Sequence, residues 1–378
     1  MKHSMKRIAA LLAVAALLLA LGACAPLENI MGKITSGGWK DDKPYESYKL
    51  DKYITLGEYK GVEAEFLTDE GYIDLYVEDI FAQYGARKGI ADDPAKTAVA
   101  DGDLVYFNYE GSAEGATEAD VEGMKGQIIL VIGSGTFLPR YDDNIAGFEE
   151  QMVGQPRGKE FTVNVKFPDD YSNSPTLAGK EAAFKCTVHS IGTDSAVITD
   201  EGIICLTGGE YTSVAAFKEM LRTDMGADLA GQVEQMNMNA AFTAAFEQAE
   251  IIKAPEKEEK YWDDQLVQDA VRFGLADAET YAQQSGYESA QAFRDDQLKH
   301  ELFAFAVAEK EDITVTEEEI QALLGEIRAS NGDTGSDADV FSAYGGKGRM
   351  LRMLMMDSVS KFIFENAKGA PAGAQPQA

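Results

Sequence analysis

The residues Gly102-Asp-Leu-Val-Tyr-Phe-Asn-Tyr-Glu-Gly111 have the alternating pattern of a β-strand between two glycines. Alternate residues of a strand point to opposite faces of a sheet. One face would carry Leu104, Tyr106 and Asn108, and the other Val105, Phe107 and Tyr109. The run from Phe161 to Phe167 alternates in the same way, and Gly and Pro residues separate the runs. The sequence therefore predicts an antiparallel sheet between residues 100 and 193.

Four further blocks follow this strand in a fixed order. They are Leu130-Val-Ile-Gly-Ser-Gly-Thr-Phe-Leu-Pro139, Gly147-Phe-Glu-Glu-Gln-Met-Val-Gly154, Phe167-Pro-Asp-Asp-Tyr171 and Leu177-Ala-Gly-Lys-Glu-Ala-Ala-Phe-Lys-Cys-Thr-Val-His-Ser-Ile191. Together with Tyr109-Glu-Gly111 they resemble an FKBP-type peptidyl-prolyl isomerase domain, in the version carried by trigger factor. The resemblance implies an α+β fold for residues 100–193, a curved antiparallel sheet with one helix packed across it. It also implies peptidyl-prolyl cis-trans isomerase activity.

The resemblance assigns pocket residues one position at a time. Those with a catalytic role would be Tyr109 beside the proline, Phe148 at the pocket floor, Tyr171, whose hydroxyl would hydrogen-bond the substrate, and Phe184 on the last strand. Those that bind the substrate would be Phe137 and Leu138, through their backbone, and Ile128, where the family often has an aromatic residue. Taken singly, each of these is more often an apolar core residue, and only their joint occurrence in order and near the right spacing supports the assignment.

Two departures from the family pattern bear on activity. The family usually has Phe-Asp or Phe-Glu shortly after the Tyr-x-Gly strand, whereas residues 114–122 contain no aromatic side chain. Asp120 could replace the acid, which adds it to the residues with an expected catalytic role. An insertion, Arg140-Tyr-Asp-Asp-Asn-Ile-Ala146, lies beside the expected pocket, where Tyr141 could form a new wall or obstruct the site.

Isomerisation of an X-Pro bond requires no cofactor and no metal. The barrier to amide rotation is about 18–20 kcal/mol, because the nitrogen lone pair is delocalised into the carbonyl. A pocket that excludes water and favours the twisted amide lowers this barrier. His189 and His300 each stand alone, with no cysteine or histidine clustered beside them for zinc.

The first residues are typical of an export signal. Basic residues precede a short apolar run, Ile8 to Leu21, which is too short to span a membrane. Leu21-Gly22-Ala23-Cys24 resembles a bacterial lipoprotein box, so residues 1–23 would be a signal peptide and Cys24 the lipid attachment site. The alternative is an ordinary signal peptide with an incidental cysteine. We expect a protein anchored to the outer face of the cytoplasmic membrane.

The remaining segments predict a tether, two structured regions and a tail. Residues 24–50 are predicted to form a tether. Residues 51–99 are predicted to form a strand followed by a helix, and this order resembles the end of the trigger factor N-terminal region. Residues 207–367 show helical periodicity and resemble the trigger factor chaperone domain by pattern. Its methionine-rich segment from Met350 to Met356 indicates either an adaptable client surface or a core helix, with neither favoured. Residues 368–378 would be disordered.

The charge composition of the sequence limits the kinds of molecule that the protein is expected to bind. With 34 basic and 64 acidic residues, the chain has a net charge of −30, which argues against binding nucleic acid. The Gly-Phe-Arg-rich loop by which cytosolic trigger factor docks on the ribosome is not found in the sequence. The expected partners are unfolded or newly exported polypeptides with X-Pro bonds. Alternatives are a non-catalytic peptide-binding holdase with a degenerate pocket and, third, a solute-binding lipoprotein.

Pairing of Cys186 with Cys205 stays open, although the strand pattern favours Cys186 as a small buried core residue.

Overall fold

The computed structural model describes residues 44–45, 48–331 and 335–371. The predicted signal peptide, Cys24 and most of the tether lie outside the described residues, as do residues 372–378. The chain forms two compact units. The sheet unit is Leu67–Val233, and the helical unit combines residues 44–66 with residues 234–371. None of the described helices is both long and apolar enough to cross a membrane.

The elements follow one another along both units. The strands are β1 (Ile54–Thr55), β2 (Glu63–Phe66), β3 (Ile90–Asp92), β4 (Leu104–Ala113), β5 (Lys125–Val131), β6 (Glu160–Lys166), β7 (Glu181–Asp194), β8 (Glu250–Ile251) and β9 (Lys368–Pro371). The α-helices are α1 (Asp69–Gln83), α2 (Glu118–Gly123), α3 (Phe148–Met152), α4 (Asp200–Thr207), α5 (Val214–Met225), α6 (Asp228–Phe246), α7 (Glu256–Arg272), α8 (Ala278–Gln284), α9 (Ala290–Glu311), α10 (Glu317–Asn331), α11 (Asp337–Ala343) and α12 (Lys347–Asn366). A short 3₁₀ helix, Leu50–Lys52, precedes β1.

The sheet unit confirms the α+β prediction. Its five strands are antiparallel, in the order β3-β7-β4-β5, with β6 also paired to β7. The alternation read from the sequence holds along β4. Val105 and Phe107 lie in the core that contains α3, and Leu104 and Tyr106 lie in a smaller core on the other face, with Cys205 of α4 packed against it. A register shift between Tyr106 and Phe107 interrupts the pairing of β4 with β7.

The cysteines lie in two different cores of this sheet unit. Cys186 is buried in the core that contains α3, as predicted, and Cys205 packs against the core on the opposite face. Both are free thiols. Burial raises the pKa of Cys186 to about 12, so its thiolate is not populated near neutral pH.

The segment of residues 51–99 is divided between the two units, in contrast to the single segment expected from the sequence. Strands β1 and β2 belong to the helical unit, and helix α1 belongs to the sheet unit. The predicted helix is present, capped by the Thr68 hydroxyl, which accepts a hydrogen bond from the Gly71 amide at 3.1 Å. Its buried face packs with Phe217 and Leu221 of α5. Helix α5, within the predicted helical domain, also belongs to the sheet unit, and the chain returns to the helical unit at Glu234.

The end of the predicted tether is part of the helical core. Tyr45 is 4% exposed, and its ring lies 4.5 Å from that of Phe305. Its hydroxyl donates a 3.0 Å hydrogen bond to Glu301. Arg352 pairs with Glu301 and also with Glu258, and all three charged groups are buried. A buried carboxylate needs such partners, so this charge cluster fixes the segment around Tyr45 to the helices.

The methionine-rich helix α12 lies between two cores. Met350 is 1% exposed and belongs to one core, while Met355 and Met356 pack against the other. Of this group, Met353 is exposed, at 37%. The packing supports the interpretation of α12 as a core helix for most of these methionines.

The first four residues of the predicted disordered tail form a strand. Lys368–Pro371 forms β9, which pairs in parallel with β2. Sequence composition could not show this, because a small Pro- and Ala-rich segment gains order here through backbone hydrogen bonds to a distant strand.

Candidate functional site

Strands β4 and β7, helix α3 and the loop before α3 bring together a cluster of aromatic rings. Phe148 opens α3, with its ring centroid 4.8 Å from that of Phe137, 5.6 Å from that of Phe184 and 5.8 Å from that of Phe107. Tyr109 lies 5.2 Å from Phe137 and 6.2 Å from Phe184. These spacings are those of packed aromatic pairs, so four of the six predicted aromatic residues form one cluster with Phe107.

The floor of this cluster is closed. Phe148 is 0% exposed and Phe184 is 2% exposed. Gly111 lies opposite Phe184 on the neighbouring strand. A Cβ on Gly111 would lie 2.5 Å from Phe184 Cε1, so the glycine in Tyr109-Glu-Gly111 permits the close approach of that ring.

Tyr109 forms a partly exposed wall above the floor. It lies directly opposite Gly126 of β5, and its hydroxyl lies 3.0 Å from the point where a Cβ on Gly126 would be. Burial, with smaller contributions from Cys205 and Tyr171, raises the pKa of the Tyr109 hydroxyl above its usual range. The hydroxyl therefore stays protonated near neutral pH. Ile128 is half-buried on the same strand as Gly126 and pairs with Phe107, so it borders this wall.

Leu138 has an unusual backbone conformation at the rim. Its φ of 44° lies in the left-handed region, which is uncommon for a branched side chain and is often found at functional sites. Its carbonyl accepts a 2.9 Å hydrogen bond from the Phe148 amide. Its own N–H donates to none of the described residues, which leaves that donor available for a peptide carbonyl.

Tyr171 also offers an unused hydrogen-bonding group. Its ring lies 4.9 Å from that of the buried Phe167, and it packs against the same core as the aromatic cluster. Its hydroxyl makes no hydrogen bond to another side chain or to the backbone within the described part of the chain. This geometry is consistent with the assignment of that hydroxyl to the substrate.

The Asp120 carboxylate is hydrogen-bonded to residues outside the aromatic cluster. Asp120 belongs to a capping box at the start of α2, where its carboxylate accepts hydrogen bonds from the Thr117 amide at 2.8 Å and the Thr117 hydroxyl at 2.7 Å. It also accepts hydrogen bonds from the hydroxyls of Ser174 and Thr176. These donors, Ser174 first, hold the pKa of Asp120 well below its usual range. The carboxylate joins α2 to the 174–176 turn, so the geometry favours a positioning role over the predicted catalytic one.

Tyr141 is not brought into the cluster. It is 47% exposed, and its ring contacts no other aromatic ring in the described residues. The insertion folds into a turn closed by a bridge between Asp142 and Ile145, and Arg140 pairs with Glu150 of α3. Because the insertion pairs with itself and with α3, it does not supply the missing aromatic wall.

Sequence reasoning missed Glu149, the residue after the floor phenylalanine. This carboxylate is buried and accepts hydrogen bonds from the backbone of the loop that carries Phe137. The sequence indicated Glu149 only as an acidic residue in the first turn of a helix, and this by itself is typical of any helix. The described residues contain no group of three or more His, Cys, Asp or Glu side chains able to hold a metal ion.

Both units are similar to known families. Residues 95–189 match the family of FKBP-type peptidyl-prolyl cis-trans isomerases, and residues 213–364 match the bacterial trigger factor C-terminus. A trigger factor from Anoxybacillus flavithermus is 32% identical over 285 residues, which cover 72% of this chain and 63% of the relative. One from Streptococcus pneumoniae (strain Taiwan19F-14) is 31% identical over 288 residues, which cover 73% and 64%.

The chain thus spans less than two thirds of the length of these curated relatives. A solved structure titled "Promiscuous Substrate Recognition in Folding and Assembly Activities of the Trigger Factor Chaperone" is 19% identical, covers 82% of this chain and 72% of that chain, and has a TM-score of 0.29, which is too low to carry an inference. The aromatic cluster lies within the residues that match the FKBP family. Residues 95–189 are therefore similar to FKBP-type peptidyl-prolyl cis-trans isomerases, and residues 213–364 to the C-terminus of bacterial trigger factor.

Proposed function

We propose that this protein is a foldase, a peptidyl-prolyl isomerase joined to a chaperone for unfolded polypeptides. The aromatic cluster is the observation that carries the proposal. Its closed floor of Phe148 and Phe184 gives an apolar surface for a proline ring, and Tyr109 and Phe137 border it. In such a site the amide loses water, which favours the less polar twisted state over the planar one.

Two hydrogen-bonding groups at the rim orient the peptide in this proposal. The Leu138 N–H would bind a carbonyl of the substrate backbone, and the Tyr171 hydroxyl would bind a second group. Both groups are available to a ligand, because neither has a partner among the described residues. Chemistry at the site is therefore binding and desolvation, with no covalent intermediate.

The test is isomerisation of an X-Pro peptide by the protein lacking residues 1–24. Tyr171→Phe is expected to lower kcat/KM by about 2- to 10-fold, the value of one net hydrogen bond. Tyr141→Phe removes a hydroxyl from an exposed ring and serves as the matched control, with unchanged kcat/KM. Equal losses in both variants would contradict the assignment of Tyr171.

The helical unit supports the chaperone half of the proposal. Helix α7 and its end expose Val267 at 55%, with Val271 and Phe273 also about half exposed. Exposed apolar side chains of this kind suit transient contacts with unfolded chains. Suppression of the aggregation of a denatured client by the full chain, weakened in a Val267→Ser, Val271→Ser variant, is the expected result.

The location in the cell is part of the same proposal. Leu21-Gly22-Ala23-Cys24 supports lipid attachment at Cys24, and clients would then be polypeptides exported across the cytoplasmic membrane. Cys24→Ser should move the protein from the membrane fraction to the soluble fraction. Retention of the variant in the membrane fraction would contradict lipid anchoring at this residue.

A holdase without turnover is the second candidate. Residues 114–122 bring no aromatic side chain to the pocket, and Tyr141 does not replace it. A folded parent protein that suppresses aggregation but does not accelerate X-Pro isomerisation would establish this alternative.

A further inference from the structure

We propose that Glu149 is a positioning residue that sets the substrate-binding wall and directs the Leu138 N–H towards the peptide. The inference rests on the isomerase function proposed above and extends it to a residue that does not touch the substrate. Glu149 follows the floor phenylalanine in α3 and is 4% exposed.

The Glu149 carboxylate binds the loop between β5 and α3 at several points. Its Oε2 accepts a hydrogen bond from the Gly135 amide at 2.9 Å. Its Oε1 accepts hydrogen bonds from the Thr136 and Phe137 amides, each at 2.8 Å. The Ser134 hydroxyl lies 3.2 Å from both oxygens. Four donors thus converge on one buried carboxylate, which is strong hydrogen bonding for a single side chain.

The three amides belong to consecutive residues, and this explains why the next backbone N–H group, that of Leu138, stays available. Residues 135, 136 and 137 all direct their N–H groups inward to Glu149. The chain then reverses at Leu138, whose φ is 44°, and the Leu138 N–H is the first of the run without a partner among the described residues. The carboxylate therefore determines which donor of the loop stays available.

The same short helix also fixes the floor. The Phe148 amide donates to the Leu138 carbonyl at 2.9 Å, and the Phe148 ring packs edge-on against the Phe137 ring at 4.8 Å. Phe148 and Glu149 are neighbours, so one turn of α3 holds the floor ring, the wall ring and the free donor in a single arrangement. Preorganised donors of this kind need no rearrangement when the substrate binds.

A neutral amide cannot do what the carboxylate does. A glutamine has one oxygen and one NH2 group, and the NH2 would face an N–H donor of the loop instead of accepting from it. Glu149→Gln keeps the size of the side chain and removes an acceptor from the centre of the loop. The loop would then open, and the Leu138 donor would lose its direction.

The experiment compares Glu149→Gln with Glu150→Gln in the full chain. Glu150 is the adjacent residue with the same chemistry, but it is exposed and pairs with Arg140 on the surface. We expect Glu149→Gln to lower kcat/KM by roughly 10- to 100-fold, the range for a reactive geometry misplaced by up to 1 Å. Glu150→Gln should stay within about threefold of the parent, below the effect of one charged hydrogen bond.

A second readout separates positioning from stability and from the isomerase proposal itself. Amide hydrogen exchange at Gly135, Thr136 and Phe137 should accelerate at least tenfold in Glu149→Gln, while exchange in β4 and β7 stays unchanged. This readout does not depend on turnover, so an inactive parent would refute the isomerase proposal and still test the loop. Unchanged loop exchange, or equal loss of activity in the Glu150→Gln control, would overturn the role of Glu149.

Discussion

Replacing Gly126 with alanine should lower the isomerase activity while leaving the fold intact. Gly126 lies on β5 opposite Tyr109, and the ring of Tyr109 covers it. An added Cβ would lie 3.0 Å from the Tyr109 hydroxyl oxygen, 3.3 Å from Cζ and 3.5 Å from Cε1. Carbon contacts prefer about 3.5–4.0 Å, so the tip of Tyr109 has to move by about 0.5 Å.

This displacement determines the size of the effect. Tyr109 is a partly exposed side chain that can swing outward, so the steric cost to the free energy of unfolding is small. The smaller conformational freedom of an alanine in the unfolded chain offsets it by about 0.4–1 kcal/mol. For activity, misplacement by 1 Å costs about 100-fold, so half of that distance costs about tenfold, or about 1.4 kcal/mol in the barrier.

The assay is isomerisation of an X-Pro peptide, with thermal unfolding measured on the same samples. Gly123→Ala is the matched control, because a Cβ at Gly123 meets no atom within 4 Å. The expected result is about a tenfold fall in kcat/KM for Gly126→Ala and none for Gly123→Ala. Full activity of Gly126→Ala would refute the reasoning that the Tyr109 ring is a wall of the working site.

Two further predictions concern charged groups. Arg352→Met should destabilise the helical unit by about 3–5 kcal/mol, because it leaves the buried carboxylates of Glu258 and Glu301 without their cationic partner. Urea unfolding followed by circular dichroism measures this loss, with the exposed Lys361→Met as control. An unchanged unfolding midpoint in Arg352→Met would contradict the prediction. Asp120 has a pKa lowered in the folded state, so its contribution to stability is complete above the unfolded aspartate pKa of about 3.9 and is lost as the pH falls towards the folded value. Melting curves between about pH 5 and pH 3 should therefore decline less steeply in Asp120→Asn than in the parent, and parallel declines would show that this carboxylate is not stabilised as described.

Local sequence pattern was sufficient for the strands and for most of the pocket. The alternation along β4 placed Phe107 and Tyr109 on one face because side chains of a strand alternate with a period of two residues. The blocks around Phe148 and Phe184 then identified the remaining rings through their order in the chain. Thr68 and the apolar spacing of α1 identified that helix, since cap and periodicity are both local signals.

The roles of the charged side chains were decided only by the tertiary structure. A carboxylate's function depends on the donors around it, and these come from distant segments: Ser174 and Thr176 for Asp120, and the 135–137 amides for Glu149. The burial of Tyr45 depends in the same way on Glu301, 256 residues further along. The sequence alone predicted strands such as β4 and helices such as α1, because those signals act over a few residues, and it indicated the aromatic pocket only through its resemblance to a family. The tertiary structure decided which polar groups are already paired and which are left for a ligand, because hydrogen bonds between distant segments exist only once the chain has folded.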